Sequence, residues 1–330
     1  MSNAAPSMAK KYHKFITERT NSEDGRVDVR LARADEIVMR TAMLESNWMM
    51  SNITLMDVKE TKGQAVAIGS SGLHTGRVIE GRFNRVLDVD GTPFELVETD
   101  SCASLSYREM AALANYGSYG TFEETVDDFF QMAIVLDILR VGFNGQRIAM
   151  PTDPVNNPNG EDINRGWHTI AKDFNDGSQV STAAVTLGDG GDFAHLDALT
   201  NNLIKSRIPK RFREDPRLVV LVGSELAAQQ RLRLFNGADK PADISAAQMS
   251  VSSVAGRFAF VPPFMPGKRL AVTTLANLHV YTQENTRKIR AGFVDERSVY
   301  EQGYLRMEGY ALQDGFMYAA VDEEALTLIE

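Results

Sequence analysis

Carboxylates, imidazoles, thiols and glycine-cradled amides do chemistry only at particular spacings, and several stretches of this sequence offer those residue types. The most conspicuous is NNPNGEDINRGW, Asn156 to Trp167, where asparagines and two carboxylates form one polar run. A calcium loop of the EF-hand kind needs carboxylates at both ends, with glycine at the sixth position. Setting Gly160 there puts Val155 first and Gly166 last, so the pattern fails. Asparagine bonds to its own backbone and tolerates left-handed angles, so the run reads as a shaped turn.

The segment GDGGDF, Gly188 to Phe193, offers a phosphate loop at a helix start, but Phe193 stands where the third glycine of G-x-G-x-x-G belongs. Its two aspartates would also repel a phosphate. Asp192 reads instead as a helix N-cap. PGKR, ending at Arg269, lacks the upstream glycine of a P-loop because Pro262 occupies that position. The five histidines, His13, His74, His168, His195 and His279, are scattered without a metal-binding spacing. Cys102 is the single cysteine and reads as a small buried residue. No G-x-S-x-G elbow is present. The basic run KSRIPKRFREDPR, with Lys205, Arg207, Lys210, Arg211 and Arg213, reads as a solvated helix end; a partner-binding patch is the alternative. No catalytic, cofactor-binding or metal residue is assigned, and no cofactor.

The elements that would position such groups follow from composition and period. With 330 residues, 43% hydrophobic residues and a formal charge of -9, the chain can bury a large core in one elaborate domain or two. A single cysteine fits a reducing cytoplasm, and no apolar run approaches the roughly 18 residues that cross a bilayer. MSNAAPS at the start reads as a disordered lead-in rather than a signal peptide. The acidic balance argues against tight, sequence-neutral nucleic-acid binding, though not against enclosing DNA.

The first fifty or so residues are charge-rich, with an amphipathic helix predicted through Ile37, Met39, Met43, Leu44 and Trp48; an arm is expected. From Ile53 to Tyr107 the pattern is stranded, and Asp90-Gly91 signals a long hairpin. From about Gly63 to Glu98 it has few residues to cover it and is expected to lie on another subunit rather than in the subunit's own core. TFEETVDDFFQMAIVLDILRVGFNG predicts a long helix. Thr121 and Glu124 form a capping box, Glu124, Asp127, Asp128 and Gln131 form a polar stripe, and Gly142 or Gly145 supplies a left-handed stop. Its second half, MAIVL, must be covered all round. Strand, glycine turn and helix are expected from Ser181 to Pro209, a buried strand at RLVVLVG, a helix at SELAAQQRLRLFN, and two strands at RLAVTTLANLHVYTQ. In the late strand from Arg297 to Asp314, Val299, Leu305, Met307 and Ala311 face one way and Gln302, Arg306 and Glu308 the other.

From the long helix onward the order of segments is specific. GFNG, NP, DINRGW, GDGGDFAHLDALTNNLI and EDPRLVVLVG, in that order, closely resemble the major capsid proteins of the P-two-like temperate myophages, the peduovirus group, which have the Hong Kong 97 capsid fold. The order extends back through LESNW and KGQAVAIG and is strongest from Val141 to Gly223. The resemblance implies an α+β chain with an N-terminal arm over 1–52, whose first thirty or so residues are dispensable and removed or rearranged on maturation. It implies an extended β-hairpin loop with flanking strands over 53–107, and a peripheral domain over 108–184 plus 295–317 with spine helix 121–142. The axial α/β domain takes 185–294 plus 318–330. In such proteins the polar loop leaves the spine helix toward the axial domain, Trp167 anchoring its far end.

By the same resemblance the chain is a major capsid protein, not an enzyme. Its copies form pentamers and hexamers in an icosahedral shell around the double-stranded DNA of a tailed phage or prophage. The implied partners are further copies, a scaffolding protein with protease activity, a portal protein and DNA bound without sequence specificity; no membrane is implied. The implied locations are the virion capsid and, during assembly, the host bacterial cytoplasm. An encapsulin-like compartment of the same fold, or an α+β enzyme with an unrecognised site, are the alternatives.

Overall fold

The computed structural model describes residues 4–19, 26–31, 39, 41, 43, 47–66, 75–84, 91–114, 122–236 and 253–329. The chain begins with helix α1 (Ala4–Arg19), strand β1 (Arg26–Arg30), short helix α2 (Trp48–Asn52), and strands β2 (Thr54–Val58), β3 (Lys62–Val66), β4 (Gly91–Glu95) and β5 (Val97–Ser106). Helix α3 (Tyr107–Ala114) and the long helix α4 (Phe122–Asn144) follow, then α5 (Trp167–Asp173), β6 (Val180–Ser181), β7 (Val185–Leu187), α6 (Leu196–Arg207), β8 (Leu218–Val222) and α7 (Ser224–Asn236). The last strands are β9 (Ser253–Val254), β10 (Arg257–Phe260), β11 (Leu270–Thr274), β12 (Leu278–Gln283), β13 (Lys288–Val294), β14 (Val299–Leu312), β15 (Ala319–Val321) and β16 (Leu326–Leu328).

Two six-stranded sheets organise these elements. The first runs β1-β13-β14-β12-β2, with β5 also on β14; the second runs β6-β15-β11-β8-β10-β9. β14 is the hub of the first. Its Val299–Leu305 segment pairs with β13, Val299–Glu308 with β5, and Glu308–Leu312 with β12. In the second sheet every residue of β8 is buried, as its unbroken apolar run requires. Leu199, Leu203, Leu226 and Ala227 of α6 and α7 pack with Leu218, Val220 and Val222 of that strand. The expected break between residues 294 and 295 therefore falls between β13 and β14, which are hydrogen-bonded in one sheet.

The expected alternation along β14 is present, and the face that carries its polar residues is buried. Gln302, Arg306 and Glu308 are buried, on the face that carries Tyr304 and Tyr310 toward α4. Leu305 and Met307 are only half-buried on the other face. Polar groups can point inward here because each meets a partner, whereas Met307 and Ala311 are covered by Ala65, Phe94 and Leu96 from the base of the hairpin. That base is thus part of the subunit's own core, contrary to a hairpin that lies wholly on another surface.

Helix α4 also departs from its expected pattern. Asp127 and Gln131 of the polar stripe are buried, whereas Phe129 is exposed. Ile134, Val135, Ile138 and Leu139 are buried, but Leu136 is half-buried and Asp137 exposed, so MAIVL is not enclosed on every side. Neither Gly142 nor Gly145 has a left-handed backbone; the helix runs through Gly142 to Asn144. Gly142 is needed for close approach, since a Cβ there would lie 2.5 Å from a ring carbon of Trp167. Gly142→Ala is expected to lower unfolding stability by about 1–3 kcal/mol, the usual range for overpacking a full core; an unchanged denaturation midpoint would show that Trp167 can move aside. The Thr121 half of the capping box and Asp90 of the turn lie outside the described residues.

Residues expected to form an arm are packed where they are described. Tyr12 and Ile16 of α1 are buried with Val126, Phe130 and Tyr300, and β1 pairs with β13 along its length. Met39 and Met43 join Met49 and Met50 in the central core, while Trp48 is exposed.

Candidate assembly site

The polar loop leaves α4 and folds on its own side chains. Asp153 accepts hydrogen bonds from the amides of Val155 (3.0 Å) and Asn156 (3.2 Å) and from Asn156 Nδ2 (2.6 Å), which hold its carboxyl below the usual range. Asp162 is buried and accepts from the Asp153 amide at 2.6 Å, and Gly160 takes a left-handed φ of 75°. The loop's carboxylates are therefore consumed in shaping it. Trp167 ends the loop at the start of α5, 1% exposed, donating from Nε1 to the His279 carbonyl at 2.9 Å. Phe143 and Tyr310 meet its ring edge-on, at 5.2 and 5.6 Å. The run shapes a turn and its tryptophan is a core anchor.

GDGGDF is likewise a turn. The Gly188 amide donates to the Phe193 carbonyl (2.9 Å), and Asp192 accepts from Thr186 N and Oγ1 (2.9 and 2.7 Å). Asp192 is therefore not the N-cap of α6; His195 holds that position without a side-chain bond. Part of the basic run is spent locally. Arg213 donates from Nε to the Ile208 carbonyl (2.7 Å) and from Nη2 to that of Lys205, capping the end of α6, while Arg207 reaches the Ser178 carbonyl. Cys102 is exposed on β5, not buried; its thiol is pushed up by partial desolvation and by the Glu301 and Asp100 carboxylates.

Spacing in sequence did not reveal one buried polar centre. His168, Asp322 and Glu323 bring ligand-type atoms within 4.8 Å of one another. Cations of the chain already meet both carboxylates: Lys172 pairs with Asp322, and Arg269 clasps Glu323 at 2.7 and 2.6 Å. Arg269 also donates to the Phe143 carbonyl at the end of α4. The centre thus ties α4, α5, the residue that leads into β11 and the turn after β15 as an ion-pair network. Burial pushes the His168 imidazole below its ordinary value, against the pull of Asp322. A base with a depressed folded pKa destabilises the fold as pH falls below about 6.5, where the unfolded state takes the proton more readily. Burial depresses His13 and His279 in the same direction. Stability is expected to drop between about pH 7 and 5, and His168→Gln should flatten part of that slope; denaturation midpoints measured across that window check it, an unaltered slope counting against a neutral buried His168.

The surfaces left open are apolar in places where a lone chain gains nothing from them. Residues 75–84 carry Val78, Ile79 and Phe83, all exposed, Ile79 completely. Phe129 on α4, Met150 and Val155 on the polar loop, and Phe258 on β10 are also exposed. Single exposed apolar side chains are ordinary on any surface, so the group of three within residues 75–84 is the one that stands out.

Residues 9–324 match the family described as phage major capsid protein, P2 family. The chain belongs to that family. It is 25% identical over 264 residues to the capsid proteins of Escherichia phage P2, spanning 76% of this chain and 74% of the relative. To the major capsid protein of Serratia phage KSP20 it is 23% identical over 262 residues, with 74% of each chain covered. A chain of the satellite phage P4 procapsid, solved with its size determination (Sid) protein, matches the fold with a TM-score of 0.77 at 21% identity, over 97% of this chain and 98% of that one. This phage major capsid protein has the mixed helix-and-sheet fold expected, and its work is self-assembly into the shell of the virion.

Proposed function

We propose that this capsid protein forms an icosahedral shell of pentamers and hexamers around the double-stranded DNA of a tailed phage or prophage. Assembly takes place in the host cytoplasm, with a scaffolding protein that carries protease activity and a portal protein. The observation that carries the reading is the loop over residues 75–84, whose Val78, Ile79 and Phe83 are exposed while the hairpin base beneath it is fixed in the core. That is the form of a clamp made to close on another subunit. The net charge of -9 supports a shell that encloses DNA without gripping it, since tight binding would hinder packing and release. The fold is divided into a peripheral part built on the first sheet and α4, and an axial part built on the second sheet with α6 and α7. The protein acts as a structural subunit without catalysis.

Negative-stain microscopy of the expressed chain, alone and with the scaffolding protein, tests the reading. Closed particles of uniform size that package DNA in an infected or induced host are expected. Small oligomers under every condition would refute it, and particles filled with an enzyme cargo would replace the virion by a compartment.

A further inference from the structure

Positive charge is concentrated at the end of helix α6. Residues 205–217 carry six cations and two carboxylates, a net charge of +4 in a chain whose formal charge is -9. Three of the six cations are spent on the fold. Arg207 is held by the Ser178 carbonyl, Arg213 by the carbonyls of Ile208 and Lys205, and Arg217 by Asp215 at 2.7 Å. The other three, Lys205, Lys210 and Arg211, are exposed and meet no carboxylate among the described residues. Glu214 does not offset them, since its carboxylate is turned to Arg257 at 3.5 Å.

The adjoining face of α6 is polar and open. Ala198, Asn201, Asn202, Lys205 and Ser206 line a shallow concavity of about 450 Å³, and Ala198 is the one apolar side chain among them. A protein partner of ordinary size needs aromatic or aliphatic anchors at the centre of its contact, and this face offers none. Asparagine, serine, lysine and arginine are instead the residue types that donate to phosphate oxygens. The last carbonyls of a helix carry partial negative charge, which would repel an anion. Arg213 covers two of them, so that repulsion is removed where the free cations stand.

We propose that this face is where the subunit meets the phosphate backbone of the packaged double-stranded DNA, from the inside of the shell. The inference rests on the reading that the shell encloses DNA. A duplex carries closely and evenly spaced negative charge, so it needs no apolar anchor and no enclosed pocket. Lys205, Lys210 and Arg211 supply the cations, and Asn201 and Asn202 supply neutral donors beside them. Three cations per copy make a contact that is weak, salt-labile and blind to sequence. Repeated over the shell, such contacts steady the duplex without gripping it at any one of them, while the acidic remainder of the chain repels it elsewhere.

Amine labelling of particles, read by mass spectrometry, tests the placement. Lys205 and Lys210 are expected to be labelled less in DNA-filled particles than in emptied ones, with Lys62 of β3 the same in both; equal labelling of all three would overturn the proposal. Titration of a fluorescent duplex with unassembled subunits tests the chemistry. Tripling the salt concentration should lower the affinity about 20-fold, the response of three neutralised phosphates. Lys205→Gln/Lys210→Gln/Arg211→Gln should abolish binding at low salt while keeping the parent's circular dichroism. Arg290→Gln, which removes a cation from β13 in the other sheet, should bind as the parent does. Binding that survives in the triple variant, or no binding by the parent at low salt, would overturn the proposal. Poly-glutamate bound more tightly than the duplex through the same three residues would overturn it too, assigning the face to an acidic protein. If the chain forms no particles, the shell reading itself fails, and the titration still decides whether this face takes phosphate.

Discussion

Replacing residues 75–84 with a short Gly-Ser linker is expected to leave a folded, soluble subunit that no longer forms shells. The hairpin base does not depend on that loop. β3 and β4 pair from Lys62↔Glu95 to Val66↔Gly91, the Leu96 amide donates to the Thr61 carbonyl at 2.8 Å, and Phe94 packs edge-on against Tyr281 at 4.6 Å. Ala65 and Leu96 remain buried with Ala311. Removing a wholly exposed loop should therefore change subunit stability by no more than about 0.5 kcal/mol. Assembly is different, because burying the wholly exposed Ile79 side chain on a neighbour contributes about 1.5–3 kcal/mol, and the partly covered Val78 and Phe83 contribute less. That loss recurs at every clamp of the shell. Sedimentation and microscopy should show small species only, with circular dichroism and melting unchanged. Closed shells of normal size from the shortened chain would refute the clamp, and a subunit that unfolds would place the loop in the core.

What was legible in the sequence was local. The run LVVLV announces a buried strand because parallel and central strands are covered on both faces, and Trp167 after a polar turn announces an anchor because so large an apolar ring must be buried. The ordered segments from GFNG to EDPRLVVLVG carried the family, which the match over residues 9–324 bears out. What was not legible depends on partners far along the chain. Gln302 points inward because Tyr12 waits 290 positions away, and Asp127 is buried because Arg19 reaches it from α1. Nothing within α4 or β14 reveals either partner. The arm's packing was signalled weakly, by Ala9, Tyr12 and Ile16 on one helical stripe, but the charges interleaved with them hid the period. His168 and Asp322, 154 positions apart, form a centre that no motif spacing could have found.

The largest single-residue effect on folding is expected at Arg306. Its Nε donates to Glu308 Oε2 at 2.5 Å, and both side chains are almost wholly buried between β14 and α4. Arg306 also donates from Nη1 to Ser101 Oγ at 2.9 Å. The Tyr310 hydroxyl lies 3.1 Å from both Glu308 Oε1 and the Ile138 carbonyl, and burial, with Glu308 beside it, drives that phenol far above its ordinary pKa. Removing one member of such a pair leaves a charge buried without its counter-ion, so Arg306→Met should cost about 3–5 kcal/mol of unfolding stability. Removing both charges abolishes that penalty. The Arg306→Met/Glu308→Met double variant is expected to fall within about 1 kcal/mol of the parent or to exceed it, since a packed apolar pair needs no desolvation. An unpaired buried carboxyl takes up a proton more readily, so the single variant should recover part of its deficit as pH is lowered toward about 5. Urea denaturation of unassembled subunits, run as a double-mutant cycle at neutral and acidic pH, reads all three quantities. If Arg306→Met costs less than about 1 kcal/mol, or the two substitutions simply add, the pair is not the buried, coupled element that its geometry describes.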